Sequence, residues 1–427
     1  MRSSARSDLR AGVRPEIQAL RALAVCAVVL HHGWPAVAPA GYMGVDVFFV
    51  VSGFLITAHL LREAEGTGGV SLQGFYLRRA RRILPAATVV LVAVSGLTLL
   101  LVPMHRWTAW FGEIVASALY VENWRLLAAS QDPATAGLPS TPVQHFWSLS
   151  VEEQFYLAWP LLILVALRLA ARHGTDASRW VLLVLVPVTA ASFGVSLSLT
   201  AVDHNLAYFS TLARAWEFGA GAILAVVLAR MRSGAAAAPG APFGGAGGYE
   251  HLRAAAAWAG IATIVVPMLV VRDDEAFPGA IALLPVLGTA LVIAVGMPRA
   301  AWGPAWIAGL RPVQWTGDVS YSLYLWHWPV IMFAPYVTGM PSPPWLMVVL
   351  VVLSFALAGA SKRWVEDPFR RRAGHTPLGR PSVLLAGVSL GLATVLAAGA
   401  IAPGVAADHR TACESSRGEI SRDGVER

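Results

Sequence analysis

Charge is scarce in this sequence. Only 13% of its 427 residues are Asp, Glu, Lys or Arg, while 56% are hydrophobic and the mean hydropathy is +0.60; soluble domains carry roughly one quarter charged residues. That balance excludes a soluble globular protein and points to a polytopic membrane chain. Cysteine is nearly absent. Cys26 and Cys413 lie too far apart to suggest a disulfide framework or a metal site, so neither redox chemistry nor a bound metal is expected. No small-residue cleavage site follows a short apolar core near the N-terminus, so the first apolar segment is expected to stay as an anchor. The formal charge of +7 does not mark a nucleic-acid binder. Its arginines cluster in loops between apolar runs, as orientation signals do.

What the chain has is long apolar runs. Stretches of about 20 apolar residues, the length that crosses a bilayer core, fall near 16–36, 42–61, 83–103, 150–171, 180–200, 208–230, 253–271, 279–297, 318–338, 344–364 and 382–402. The expected fold is all-α, with about eleven transmembrane helices. A twelfth candidate, "WTAWFGEIVASALYVENWRLL" at 107–127, carries Glu113, Glu122, Asn123 and Arg125. Loop charge decides against a crossing there. With the N-terminus cytoplasmic, the inside loops collect Arg62 and Arg78 to Arg82, then Arg172 and Arg179, then Arg230, Arg232 and Arg253, then Arg299 and Arg311, then Lys362 to Arg380. A crossing at 107–127 would put the later ones outside, against the positive-inside rule. The segment is therefore expected to be amphipathic or re-entrant on the outer side, and the C-terminus extracytoplasmic.

Ionisable residues inside such runs are costly and mark function. In "LRALAVCAVVLHHGW" (20–34), Arg21 and His32 are eleven residues apart, which puts them on one helix face separated by roughly 16 Å. Asp46, in "GYMGVDVFFVVSGFLIT", enters the next span at about the depth of His32. A carboxylate beside an imidazole fixes its tautomer and raises its basicity, as a general base requires; a structural ion pair between two helices reads equally well. "FYLRRARRILPAA" holds Arg78, Arg79, Arg81 and Arg82 before a span. The run suits a positive-inside anchor or an anionic-lipid contact, and also a phosphate site, since guanidinium forks match phosphate oxygens. "HFWSLSVEEQFYLAWP" gathers Ser148, Ser150, Glu152 and Glu153 where a helix enters the bilayer. Arg214 and Glu217, in "RAWEFGAG", lie one turn apart and suit an intrahelical pair. His327 lies mid-span just before Pro329; it suits either a cavity lining or a cap on the carbonyls that proline frees.

In order, "EIQALRALAVCAVVLHH", "GYMGVDVFFVVSGFLIT", "FYLRRARRILPA", "FWSLSVEEQFYLAWP", "RAWEFGAGAIL", "GDVSYSLYLWHWPV" and "RWVEDPFR" resemble the motifs of the acyltransferase-3 family of bacterial inner-membrane O-acyltransferases. The resemblance covers about residues 14 to 372. It implies transfer of an acyl group, often acetyl, from cytoplasmic acyl-CoA to a hydroxyl of an envelope glycan or similar acceptor, with acyl-CoA as cosubstrate rather than resident cofactor. It implies Arg21, His32, the Arg78 to Arg82 run, Ser150, Glu152, Tyr321, Tyr324 and His327 as site positions; beside it the residues read as Arg21 and the arginine run holding the donor and His32 as general base, oriented by Asp46 or Glu152. An acyl-histidine relay stands as the competing mechanism.

The expected organisation is a cytoplasmic tail over 1–14, a transmembrane acyltransferase domain over 15–372 with a flexible linker at 231–250, an additional helix at 382–402, and an outer tail over 403–427. Family members with such an eleventh span lead into an SGNH-type domain. No Gly-Asp-Ser block or Asp-x-x-His follows it here. The chain thus resembles the membrane half of that fused form, and a separate SGNH-type partner is one expectation. The rival reading is a proton-coupled glycan transporter or flippase, with His32 and Asp46 relaying protons.

Overall fold

A computed structural model describes residues 14–132, 139–237, 246–272, 276–340, 342–370, 386–401 and 404. Every regular element among them is a helix. In chain order these are α1 (Pro15–Gly33), α2 (Gly44–Thr67), α3 (Leu72–Leu101), α4 (Trp107–Ala118), α5 (Glu122–Gln131), α6 (Phe146–His173), α7 (Ala177–Val202) and α8 (His204–Phe209). They continue with α9 (Thr211–Ala237), α10 (Ala246–Val270), α11 (Leu283–Val295), α12 (Ala305–Ala308), α13 (Arg311–Thr338), α14 (Pro344–Ser361) and α15 (Ala386–Ile401).

Seven of these helices are long and apolar enough to cross a membrane: α2, α3, α6, α7, α9, α10 and α14 with its continuation to Arg370. The chain is a multi-pass membrane protein. The expected spans at 16–36, 279–297, 318–338 and 382–402 are also helical, as α1, α11, α13 and α15, but fall outside that set. α1 packs Glu16, Arg21, His31 and His32 into 19 residues, and α11 has only 13. The 107–127 segment breaks at Tyr120, whose φ of 55° is left-handed backbone, into helices of 12 and 10 residues. Neither half reaches the ~20 residues that a crossing needs.

The linker expected over 231–250 is helical in its described residues. Helices α9 and α10 run into it from both ends because its alanines favour helix. Residues 1–13, 238–245, 371–385 and 405–427 lie outside the described residues.

The chain divides into two compact units. The first comprises residues 1–73 and 151–324. Its core joins Leu20 and Ala24 of α1, Val47, Val50 and Phe54 of α2, Trp216 of α9, Met268 of α10 and Val286 of α11. Two glycines set its central contact. A Cβ at Gly53 of α2 would lie 2.0 Å from the Phe218 carbonyl of α9, and one at Gly221 would lie 2.0 Å from the Val50 carbonyl. Backbone meets backbone at this crossing, which is how small residues tighten helix pairs in membranes.

The second unit comprises residues 74–150 and 325–427. Here α15 packs on α3 and α4, with Gly391 against Thr88 and Gly399 against Val115. Arg106 donates to the Tyr336 hydroxyl at 2.6 Å, and the Trp326 indole donates to Ser361 at 2.8 Å. These bonds tie the C-terminal half of α13 to its surroundings within the unit.

Candidate active site

In the first unit α1 carries Arg21 and His32, both half-buried. The Arg21 guanidinium donates to Gln18 Oε1 at 3.0 Å, one turn back on the same helix. His31 has a different role. Its Nδ1 lies 3.1 Å from the Ala38 carbonyl and its ring meets Tyr42 edge-on at 5.2 Å, so it braces the loop after α1.

Asp46 stands in the first turn of α2 and is fully buried. It accepts from Arg214 Nη2 at 3.1 Å, while Arg214 Nε lies 3.1 Å from Glu217 Oε1. The i,i+3 pair expected within α9 is present, and Asp46 converts it into a triad. All three side chains are 0% exposed. The guanidinium sits among the rings of Phe49, Tyr208 and Phe277, with centroids 5.6, 5.7 and 5.4 Å away. Such packing of a cation on ring faces offsets part of its desolvation. The α2–α9 glycine crossing is what brings Asp46 and Arg214 to the same level.

Glu152, on α6, accepts from the hydroxyls of Ser52 and Tyr156. Those two hydroxyls also meet each other at 3.1 Å. One turn further along α6, the Trp159 indole donates to Thr57 Oγ1 at 2.9 Å, so polar pairs recur along the α2–α6 contact. Tyr324 is buried with its ring 6.3 Å from Phe48, and Tyr321 is half-buried on the same helix.

The remaining expected positions lie in the second unit. Ser150 Oγ donates to the Phe146 carbonyl of its own helix at 3.0 Å. His327 is fully buried with its ring 5.5 Å from His145, whose Nε2 lies 3.2 Å from the Leu325 carbonyl. Burial, together with the neighbouring His327, holds His145 well below the ordinary imidazole range. Arg78, Arg79, Arg81 and Arg82 occupy the early turns of α3, with Arg79 over the Phe75 ring at 5.6 Å. Sequence reasoning did not single out Ser52 and Tyr156. The i,i+4 spacing of Glu152 and Tyr156 was the one available signal.

The model for the acyltransferase domain (Acyl_transf_3) matches residues 14–362. The chain belongs to the acyltransferase-3 family. This family member is 31% identical over 374 residues to the peptidoglycan O-acetyltransferase OatA of Listeria monocytogenes, which covers 84% of this chain and 56% of that protein. It is 30% identical over 383 residues to a Staphylococcus aureus protein provisionally named an O-acetyltransferase, covering 87% of this chain and 59% of the relative. It is 29% identical over 362 residues to YrhL of Bacillus subtilis, provisionally named a peptidoglycan O-acetyltransferase, covering 83% and 55%. The acyltransferase-3 chain thus spans a little over half the length of these relatives. No solved structure matches it.

Proposed function

We propose that this acyltransferase-3 protein is an O-acyltransferase of the bacterial cytoplasmic membrane. It moves an acyl group, acetyl by analogy with its relatives' names, from cytoplasmic acyl-CoA to a hydroxyl on the outer side. The relatives' names support an envelope glycan of the peptidoglycan class as the acceptor, reached directly or through an SGNH-type partner. The observation that carries the reading is α1 itself. It holds a guanidinium and an imidazole on one face, eleven residues and roughly 16 Å apart along the axis. That spacing suits a donor whose anionic end stays at one membrane surface while its slender pantetheine arm reaches inward.

In this reading Arg21 and the Arg78 to Arg82 run hold the donor's phosphates, and His32 accepts the proton of the acceptor hydroxyl. The alkoxide oxygen attacks the thioester carbonyl, the C–S bond breaks, and the departing thiolate takes up the proton from His32. Asp46 and Glu152 act as positioning residues, each through the bonds that fix it to its neighbours. Ser150, Tyr321, Tyr324 and His327 are carried over from the family's motifs as further substrate-binding positions.

The test is coenzyme A release from acetyl-CoA by the protein in nanodiscs. His32→Ala is expected to lower the rate by roughly 10²- to 10⁴-fold, the usual loss of a general base, and Arg21→Ala to weaken acetyl-CoA binding. Normal turnover by His32→Ala removes the general-base assignment. If the unsubstituted protein neither binds nor cleaves acetyl-CoA, the proton-coupled transporter reading takes precedence.

A further inference from the structure

Helix α1 has a second face. Seen down its axis, residues 16, 19, 23 and 26 point roughly 120–180° away from Arg21 and His32. That face borders a cavity of about 380 Å³ within the first unit, lined by Ala19, Leu23, Cys26, Ala257, Ile261 and Val292. The lining is almost wholly apolar, and the volume lies within the ~300–1,000 Å³ of ordinary ligand sites. It is separate from the stripe assigned to the donor, because the helix backbone stands between the two.

The rim of the cavity is basic. At Gly296, which lines it, a Cβ would lie 3.7 Å from Arg253 Nη2, 3.9 Å from Arg14 Nη2 and 3.9 Å from Glu16 Oε1. Arg14 and Arg253 cap the end of α11 through the Ile293 and Val295 carbonyls, each at 2.6 Å. Arg299, whose backbone N–H donates to Glu250, follows the lining residue Met297 by two positions, and Arg311 precedes the lining residue Pro312. Against these four guanidiniums stand the carboxylates of Glu16 and Glu250. Around the same end Trp302, Trp306 and Trp315 are 45%, 62% and 47% exposed. Exposed tryptophans at the end of a membrane helix bundle mark the headgroup level.

We propose that this cavity holds one alkyl chain of an anionic membrane phospholipid, with the phosphate seated among Arg14, Arg253, Arg299 and Arg311. An apolar void at the headgroup level, rimmed by excess positive charge, is complementary to that amphiphile: the chain replaces empty space and the phosphate meets guanidinium forks. A zwitterionic lipid supplies the same chain without the net charge.

Cys26 reports on occupancy directly. With Cys413→Ala it becomes the chain's one thiol, and its alkylation by N-ethylmaleimide is followed in nanodiscs of phosphatidylcholine with and without phosphatidylglycerol. Phosphatidylglycerol is expected to slow the reaction on the order of ten-fold, as when about nine in ten cavities are filled. Native mass spectrometry of delipidated protein is expected to retain one phosphatidylglycerol, and Ala19→Phe, which fills the void, to lose it while keeping its thermal transition. Equal alkylation in both membranes overturns the proposal, whether or not Ala19→Phe folds. So does a bound lipid that survives in a folded Ala19→Phe.

Discussion

Arg214 is the residue on which the first unit's polar interior depends. Two fully buried carboxylates, Asp46 and Glu217, share its guanidinium. Removing a partner from a buried ion pair leaves charge without compensation and costs about 3–5 kcal/mol. Arg214→Met is expected to abolish or strongly lower the thermal transition in detergent. Replacing Asp46, Arg214 and Glu217 together with apolar residues of similar volume should restore much of it. A smaller loss in the single variant than in the triple would show that the triad carries no such dependence. Asp46 and Glu152 were legible in the sequence because a carboxylate in an apolar run has no cheap explanation. Ser52 and Tyr156 were not, because hydroxyls in membrane helices commonly satisfy themselves on their own backbone, as Ser150 does here.

At the scale of elements, two features invite measurement. The crossing of α2 and α9 leaves no room for a side chain at Gly53 or Gly221. Gly221→Ala is expected to cost about 1–3 kcal/mol, the usual penalty of overpacking, read as a lowered thermal midpoint. Gly66→Ala, in the same α2 with nothing within 4 Å of its Cβ, should not lower it.

The second feature is the broken segment of α4 and α5. There Glu113 accepts from Thr141, and burial raises its carboxyl above the ordinary value. Burial and the nearby Glu113 push Glu122 well above it. A carboxyl with a raised folded pKa binds its proton more tightly in the fold than in the unfolded chain. Its stabilisation is therefore complete below the ordinary carboxylate range and lost as pH rises through the raised value. Glu122→Gln is expected to flatten the fall in thermal midpoint on that alkaline side, and an unchanged pH profile would refute it. Loop charge alone indicated that this segment does not cross. The break at Tyr120 was hidden, since nothing about a tyrosine announces left-handed backbone.

At the scale of the whole molecule, the sequence disclosed the helical membrane class and the positions of its apolar runs, because hydropathy is a property of each segment alone. It did not disclose which ionisable groups of different helices would meet. Partners such as Asp46 and Arg214, 168 residues apart, depend on packing between helices that no local pattern encodes. The basic run at Arg78 to Arg82 remains a prediction at this scale. If it holds donor phosphate, Arg81→Ala with Arg82→Ala is expected to raise KM for acetyl-CoA by roughly 10- to 100-fold, the value of one or two charge-assisted bonds, with kcat nearly unchanged. The salt dependence of kcat/KM should weaken as well. A shift in membrane orientation or yield with unaltered KM would assign the run to anchoring.

The paired glycines of α2 and α9 also govern which motions are open to the protein. Each carbonyl of the pair occupies the notch left by the other helix's missing side chain, so the two helices are keyed like cogs. A slide along the pair would carry each glycine away from the carbonyl it admits, and any side chain brought there in its place would meet the Phe218 or Val50 backbone. This pair can rock about its crossing but cannot shear along it, and any gating that passes substrate must pivot on other helices while α2 and α9 move as one body.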